Sequence, residues 1–192
     1  CGDYQSARAH YEAALTIFRE LADESSIIVL LNNLGNLAAD QGDYTLAQQL
    51  LGECLGMAQE LRDKQATAEA LDSLGGVIYH QGDFASAYSL YCQSLMLKQE
   101  LGDRRGIAYS LEGVAVVVAT HQPLVAVRLL NAAQALRTAI GIPLQAAESA
   151  DYDLTVTHLR DRLSAAEREA AAQAGAAMEL EQAIAYALDL AP

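Results

Sequence analysis

Long apolar runs are missing from this sequence. The longest, such as Val114 to Ala119, fall far short of the roughly 20 residues that a membrane-spanning helix needs, so no membrane segment is expected. A basic region followed by an apolar stretch and a small-residue cleavage site is missing after Cys1, so no signal peptide is read there. Cysteine is scarce: Cys1, Cys54 and Cys92 are an odd number, with neither a Cys-x-x-Cys spacing nor a His at metal-ligand spacing beside them. A reducing, cytoplasmic setting is the plainest expectation. Basic side chains are few as well, 12 against 25 acidic, and the net charge of −13 repels phosphate backbones and anionic lipid headgroups. Nucleic acid and membrane are therefore not expected partners. The acidity reads first as the solubility of a helical surface and second as an attraction for a basic partner.

The marks of catalysis are absent too. No Gly-x-x-x-x-Gly-Lys-Ser/Thr phosphate loop occurs, and His10, His80, His121 and His158 form no His-Glu-x-x-His pair. No residue nominates itself as the positioned base that a serine nucleophile needs. The expectation is a chain without enzymatic activity, catalytic residues, cofactor or metal. Asp151, Tyr152 and Asp153 read as the acidic first turn of a helix, favoured by the helix dipole.

What is present is a repeat. With 52% hydrophobic residues in 192, the chain can fill one sizeable core or bury its surface unit by unit. Gly2-Asp3-Tyr4, Gly42-Asp43-Tyr44 and Gly82-Asp83-Phe84 recur at 40-residue steps. Ala7, Ala47 and Ala87 keep the step, as do Leu15, Leu55 and Leu95, the pairs Glu20-Leu21, Glu60-Leu61 and Glu100-Leu101, and Asp23, Asp63 and Asp103. Leu31-x-x-Leu34-Gly35 returns as Leu71-x-x-Leu74-Gly75, and Leu111 holds the register again.

Each unit reads as two amphipathic helices. Leu31, Leu34, Leu37 and Ala38 follow a three- and four-residue spacing in one, and Ala47, Leu51, Leu55 and Ala58 do so in the next. Asp43 and Asp83 are placed to cap the second helix of a pair, and Gly42 and Gly82 to supply the left-handed turn before it. Ala47 and Ala87 mark close helix crossings, and Gly35, Gly75 and Gly76 read as packing glycines. Long Ala- and Leu-rich segments without alternation argue against strands.

These residues resemble the tetratricopeptide repeat family: a Leu-Gly pair in the first helix, a Gly-Asp-Tyr turn, and a small Ala early in the second. The resemblance implies an all-α fold, a right-handed superhelix of antiparallel helix pairs (a tetratricopeptide-like solenoid) with a C-terminal helical cap. The family's usual period is about 34 residues, so the extra residues are expected in longer helices and a longer turn between units. HEAT and armadillo pairs, at roughly 40–47 residues, are the structural competitor.

The division expected is 1–22, the second helix of a truncated repeat whose first helix lies upstream of Cys1; 23–62 and 63–102, full repeats; 103–141, a degenerate repeat; and 142–192, capping helices. His121-Gln122-Pro123 replaces the fourth Gly-Asp turn, and Ala126 follows Ala87 by 39 residues, which places a one-residue deletion near the end of the preceding helix. Gly141-Ile142-Pro143 stops a helix. Residues 148–163, 165–174 and 179–190 read as three more, with Gly175 as the stop between the last two and the Ala-rich 165–177 open to fraying.

A narrower resemblance runs over 105–190. Leu111-Glu112-Gly113, Ala126 through Ala133, Leu136-Arg137, Gly141 through Leu144 and Glu181 through Leu188 look like the C-terminal end of bacterial signalling ATPases of the LuxR and antibiotic-regulator kind. That likeness implies a sensor or scaffold that binds a protein or peptide, another domain of its own chain, or a small inducer. In the tetratricopeptide architecture the first helix of each pair lines the concave face. The register places Asn32, Asn36, Asp40, Glu69, Asp72, Tyr79, His80, Tyr109 and Glu112 there as exposed positions. Asn36 matches the family's clamp asparagine, but Asn32 and Asp72 stand where its lysine would be, which disfavours a terminal carboxylate. A basic or polar peptide is expected, or a sugar-like inducer stacked on tyrosine.

Overall fold

The computed structural model describes residues 4–143 and 150–190. Among them are ten α-helices and no strands: α1 (Tyr4–Glu20), α2 (Glu24–Asp40), α3 (Tyr44–Glu60), α4 (Lys64–His80), α5 (Phe84–Leu101), α6 (Arg104–Val118), α7 (Pro123–Ile140), α8 (Ala150–Arg162), α9 (Ala165–Ala176) and α10 (Leu180–Leu188). Cys1, Gly2 and Asp3, Leu144, and the first two residues of the helix expected at 148–163 lie outside the described residues. The fold is all-α, as the periodicity implied.

Aspartates at 20-residue steps punctuate the helices. The side chains of Asp23, Asp43, Asp63, Asp83 and Asp103 accept from the backbone N–H of Ser26, Leu46, Ala66, Ser86 and Gly106, all at 2.9–3.1 Å. Each therefore satisfies an orphan amide of the helix it opens. The backbone N–H of the same aspartate closes the helix before it, as in Asp43 to Ala38 and Asp63 to Ala58, both at 2.9 Å. That closure needs a left-handed residue just ahead. Gly42 and Gly82 take it at φ 79° and 87°, but Ala22 and Arg62 are forced into it at 53° and 57°.

The turn between units is no longer than the turn within one. Residues 61–63 span the same three positions as 41–43, so the added length lies in the 17-residue helices. α6 has 15 residues, the shortest of the repeat helices, in keeping with the deletion expected there.

The chain divides into two compact units, Cys1–Leu90 and Tyr91–Pro192, with the boundary inside α5. In the first, α2 packs on α1 and α3, and α3 on α4. Leu15, Ile28, Leu31 and Leu34 join Cys54 and Ala58 in one apolar cluster, and Ala47, Leu51, Leu74 and Val77 form another. Gly35 permits the α2–α3 crossing, because a Cβ there would meet Leu51 Cγ at 2.5 Å. In the second unit α6 packs on α7, and α7 on α9. Gly141, at φ 70°, ends α7 as expected.

Gly175 is not a helix stop. It lies buried within α9, where a Cβ would meet the carbonyl oxygen of Arg128 at 2.1 Å. Absence of a side chain is what lets α9 press onto α7. The Ala-rich segment is thus a small-residue contact face, and the Ser164–Glu167 capping box fixes its start.

Candidate functional site

In the first unit, the outer faces of α2 and α4 carry most of the expected groove residues. Asn36 and Asp40 are exposed on α2, and Glu69 and His80 on α4. These helices are packed on more than one side, so each buries a wide stripe and leaves a narrow strip free. That strip is Val29, Asn36 and Asp40 on α2 and, in the same register, Glu69 and His80 on α4, with the half-buried Gly76 between them. Val29, 58% exposed, was missed because an apolar residue on a helix reads as core.

Asp72 corrects the expected groove. Only 4% exposed, it lies in the buried stripe of α4 between Leu71 and Leu74. Asn32, one unit earlier in the same column, is half-buried, and its Oδ1 has no donor among the described residues.

Four ring side chains of this unit, from α3, α4 and α5, meet at the C-terminal end of α4. His80 stacks on Tyr44 with ring centroids 5.2 Å apart and planes 10° from parallel. Tyr79, half-buried, meets the edge of His80 at 5.3 Å and Phe84 at 5.7 Å. Asp40 sits at the C-terminal end of α2, and desolvation raises its carboxyl above the ordinary value although much of the side chain is exposed. The strip can offer carboxylates, a ring pair and an amide to a ligand.

In the second unit the two expected residues part company. Tyr109 is 37% exposed, and the Lys98 ammonium lies 5.4 Å from its ring centroid. Glu112 is 7% exposed and its two carboxylate oxygens accept from Arg137 Nε and Nη2, both at 2.7 Å. Its expected place on an open surface is corrected, because α6 buries Glu112 with Leu111 and Gly113.

Lys98 is a buried group that the helical pattern did not reveal. Its Nζ donates to the Gly106 carbonyl at 3.3 Å and to Ser110 Oγ at 3.2 Å, and Ser110 shares a 3.3 Å hydrogen bond with Ser94. A lysine beside serine is the arrangement of an activated nucleophile, yet Ser94 and Ser110 are both 0% exposed, so a substrate has no approach in this conformation. Forty residues earlier the same columns hold Cys54, Ala58, Ala66 and Ala70, all in or against the apolar core. A departure of four columns together was the available signal. The one cysteine of that set is inert: burial, then the charges of Glu69 and Glu53, push the Cys54 thiol up to about 11. Among the described residues, no three His, Cys, Asp or Glu side chains converge to hold a metal ion, and no helix is long and apolar enough to cross a membrane.

The tetratricopeptide repeat family matches residues 1–60 and again 26–100, so that its two overlapping matches cover the first hundred of the 192 residues. The chain belongs to the tetratricopeptide repeat family. Tetratricopeptide repeats generally mediate protein–protein interaction on a non-catalytic scaffold. The crystal structure of BtubC (BKLC) from P. vanneervenii has the same fold. It aligns with a TM-score of 0.67 at 20% identity, covering 100% of this chain and 77% of that one. No match is found among curated proteins. In this tetratricopeptide protein the exposed part of the expected site is therefore Asn36, Asp40, Glu69 and His80 of the first unit and Tyr109 of the second.

Proposed function

We propose that this chain is a non-catalytic interaction and regulatory scaffold whose α2–α4 strip binds a basic, polar peptide. The carrying observation is the company that Asp40 and Glu69 keep. Two exposed carboxylates share one strip with the His80–Tyr44 ring pair, on a chain of net charge −13. Carboxylates steer and register a cationic segment, and flat rings give lysine or arginine a face to lie on. The peptide belongs to another protein or to another domain of the same polypeptide.

The 105–190 resemblance supports a finer role, as the C-terminal sensor part of a larger bacterial signalling or transcription-regulating ATPase working in the cytoplasm. A small polar inducer in the same strip is the second reading, favoured by the parallel Tyr44 and His80 rings.

Selection of displayed random peptides on the full chain tests the first reading. Lys- and Arg-rich sequences are expected to be enriched, and Asp40→Lys with Glu69→Lys to weaken the best of them at least about tenfold. Enrichment of acidic or apolar peptides, or indifference to the charge reversal, would overturn it. Melting shifts with neutral oligosaccharides, abolished by Tyr44→Ala, would favour the inducer.

A further inference from the structure

Beyond the peptide-binding strip, the second unit contains a cleft of about 370 Å³ among α7, α8 and α9. That volume falls within the roughly 300–1,000 Å³ range of small-molecule sites. Val127, Leu130, Val156 and Leu159 line it with aliphatic side chains, and Ala172 contributes from α9. A ligand's apolar body is thus accommodated by three helices at once.

The polar rim is mostly donor. Arg168 Nη1 donates to the carbonyl oxygens of Leu163 and Arg160, which holds its guanidinium at the α8–α9 corner. Neither Arg160 nor Arg168 has a carboxylate partner among the described residues. The rim carboxylate, Glu169, accepts from Gln173 Nε2 at 2.7 Å through one oxygen. Two arginines unmatched in this way stand out in a chain with 25 acidic against 12 basic side chains. Tyr152 adds a neutral hydroxyl, because burial, with Glu112 and Asp153 nearby, raises its pKa. Asn131 is fixed by its 2.8 Å donation to the Val127 carbonyl, which leaves its amide oxygen as an acceptor.

The geometry points to this cleft as a binding site for a small organic monocarboxylate with an aromatic or branched apolar body. The body lies against Val127, Leu130, Val156 and Leu159, and the carboxylate meets Arg160 and the free donors of Arg168. A planar guanidinium pairs with a carboxylate through two parallel hydrogen bonds. The ligand would tie α8 and α9 to α7.

Isothermal titration of the full chain with phenylacetate and with its neutral amide, phenylacetamide, tests the assignment. Phenylacetate is expected to bind and the amide to bind at least about tenfold more weakly. Arg160→Gln should remove most of that preference. Val156→Trp should fill the cleft and abolish binding, and Ala172→Leu, a smaller change from the α9 side, should weaken it if the tryptophan variant fails to fold. Absence of phenylacetate binding up to 10 mM (about −2.7 kcal/mol), equal binding of acid and amide, or unchanged binding in both cleft variants would each overturn the proposal. Capture of a basic peptide by the α2–α4 strip is expected to be unaffected by the cleft variants, so the two proposals fail separately.

Discussion

Arg137 grips Glu112 through two 2.7 Å hydrogen bonds, and the two side chains are 1% and 9% exposed. A pair removed this far from water depends on both partners being present, since each charge alone would be stranded in a low-dielectric interior. Arg137 also occupies the helical position on α7 that Lys98 holds on α5, 39 residues earlier, so two repeat-related helices of the second unit bury a cation where Ala58 stands in the first.

Glu112→Ala is therefore expected to destabilise the protein by about 3–5 kcal/mol, measured by urea unfolding. Glu112→Leu with Arg137→Met should recover most of the loss, because an apolar pair of similar volume leaves no charge behind. A loss below about 1 kcal/mol for the single variant would mean that water reaches Arg137 after all.

The left-handed turns between units offer an opposite, stabilising change. Arg62 sits at φ 57°, where the next unit uses Gly102 at φ 68°. Arg62→Gly is expected to raise stability by about 0.5–1 kcal/mol, and Gly102→Arg to lower it by a similar amount. Thermal unfolding of the two variants checks both signs.

Acid should loosen the caps. Hydrogen bonds from the hydroxyls and backbone amides of Ser26 and Ser86 hold the Asp23 and Asp83 carboxyls below their ordinary value. A carboxyl whose folded pKa is depressed contributes stability that is complete above its unfolded pKa, about 3.9, and is lost as pH falls through the lower folded value. Asp23→Asn with Asp83→Asn should therefore flatten the stability profile below about pH 4, seen in urea midpoints from pH 5 to pH 2. A profile as steep as that of the parent would assign the acid sensitivity to other groups.

Most of the architecture was legible because it is written in repeated chemistry. Asp43 and Asp83 announce helix starts, Gly42 and Gly82 the turns before them, and Ala47 and Ala87 small buried positions, and all six do what their residue type dictates. The candidate site was legible only in part. Periodicity gives the direction in which a side chain leaves its helix but not how many neighbours that helix has. From periodicity alone Asp72 and Glu112 accordingly fall on an open face and Val29 in the core, whereas the packing buries the first two and exposes the third. Gly175 misled for a related reason, since a glycine that ends a helix and one that admits a neighbouring backbone look alike until α7 is found against α9.

Hydrogen exchange of the full chain, with and without a selected basic peptide, shows where the peptide lies. Exchange is expected to slow in α2 and α4, around Asn36, Asp40, Glu69 and His80, with α7, α8 and α9 unchanged. Protection confined to α7–α9, or none in α2 and α4 at saturating peptide, would contradict binding at the α2–α4 strip.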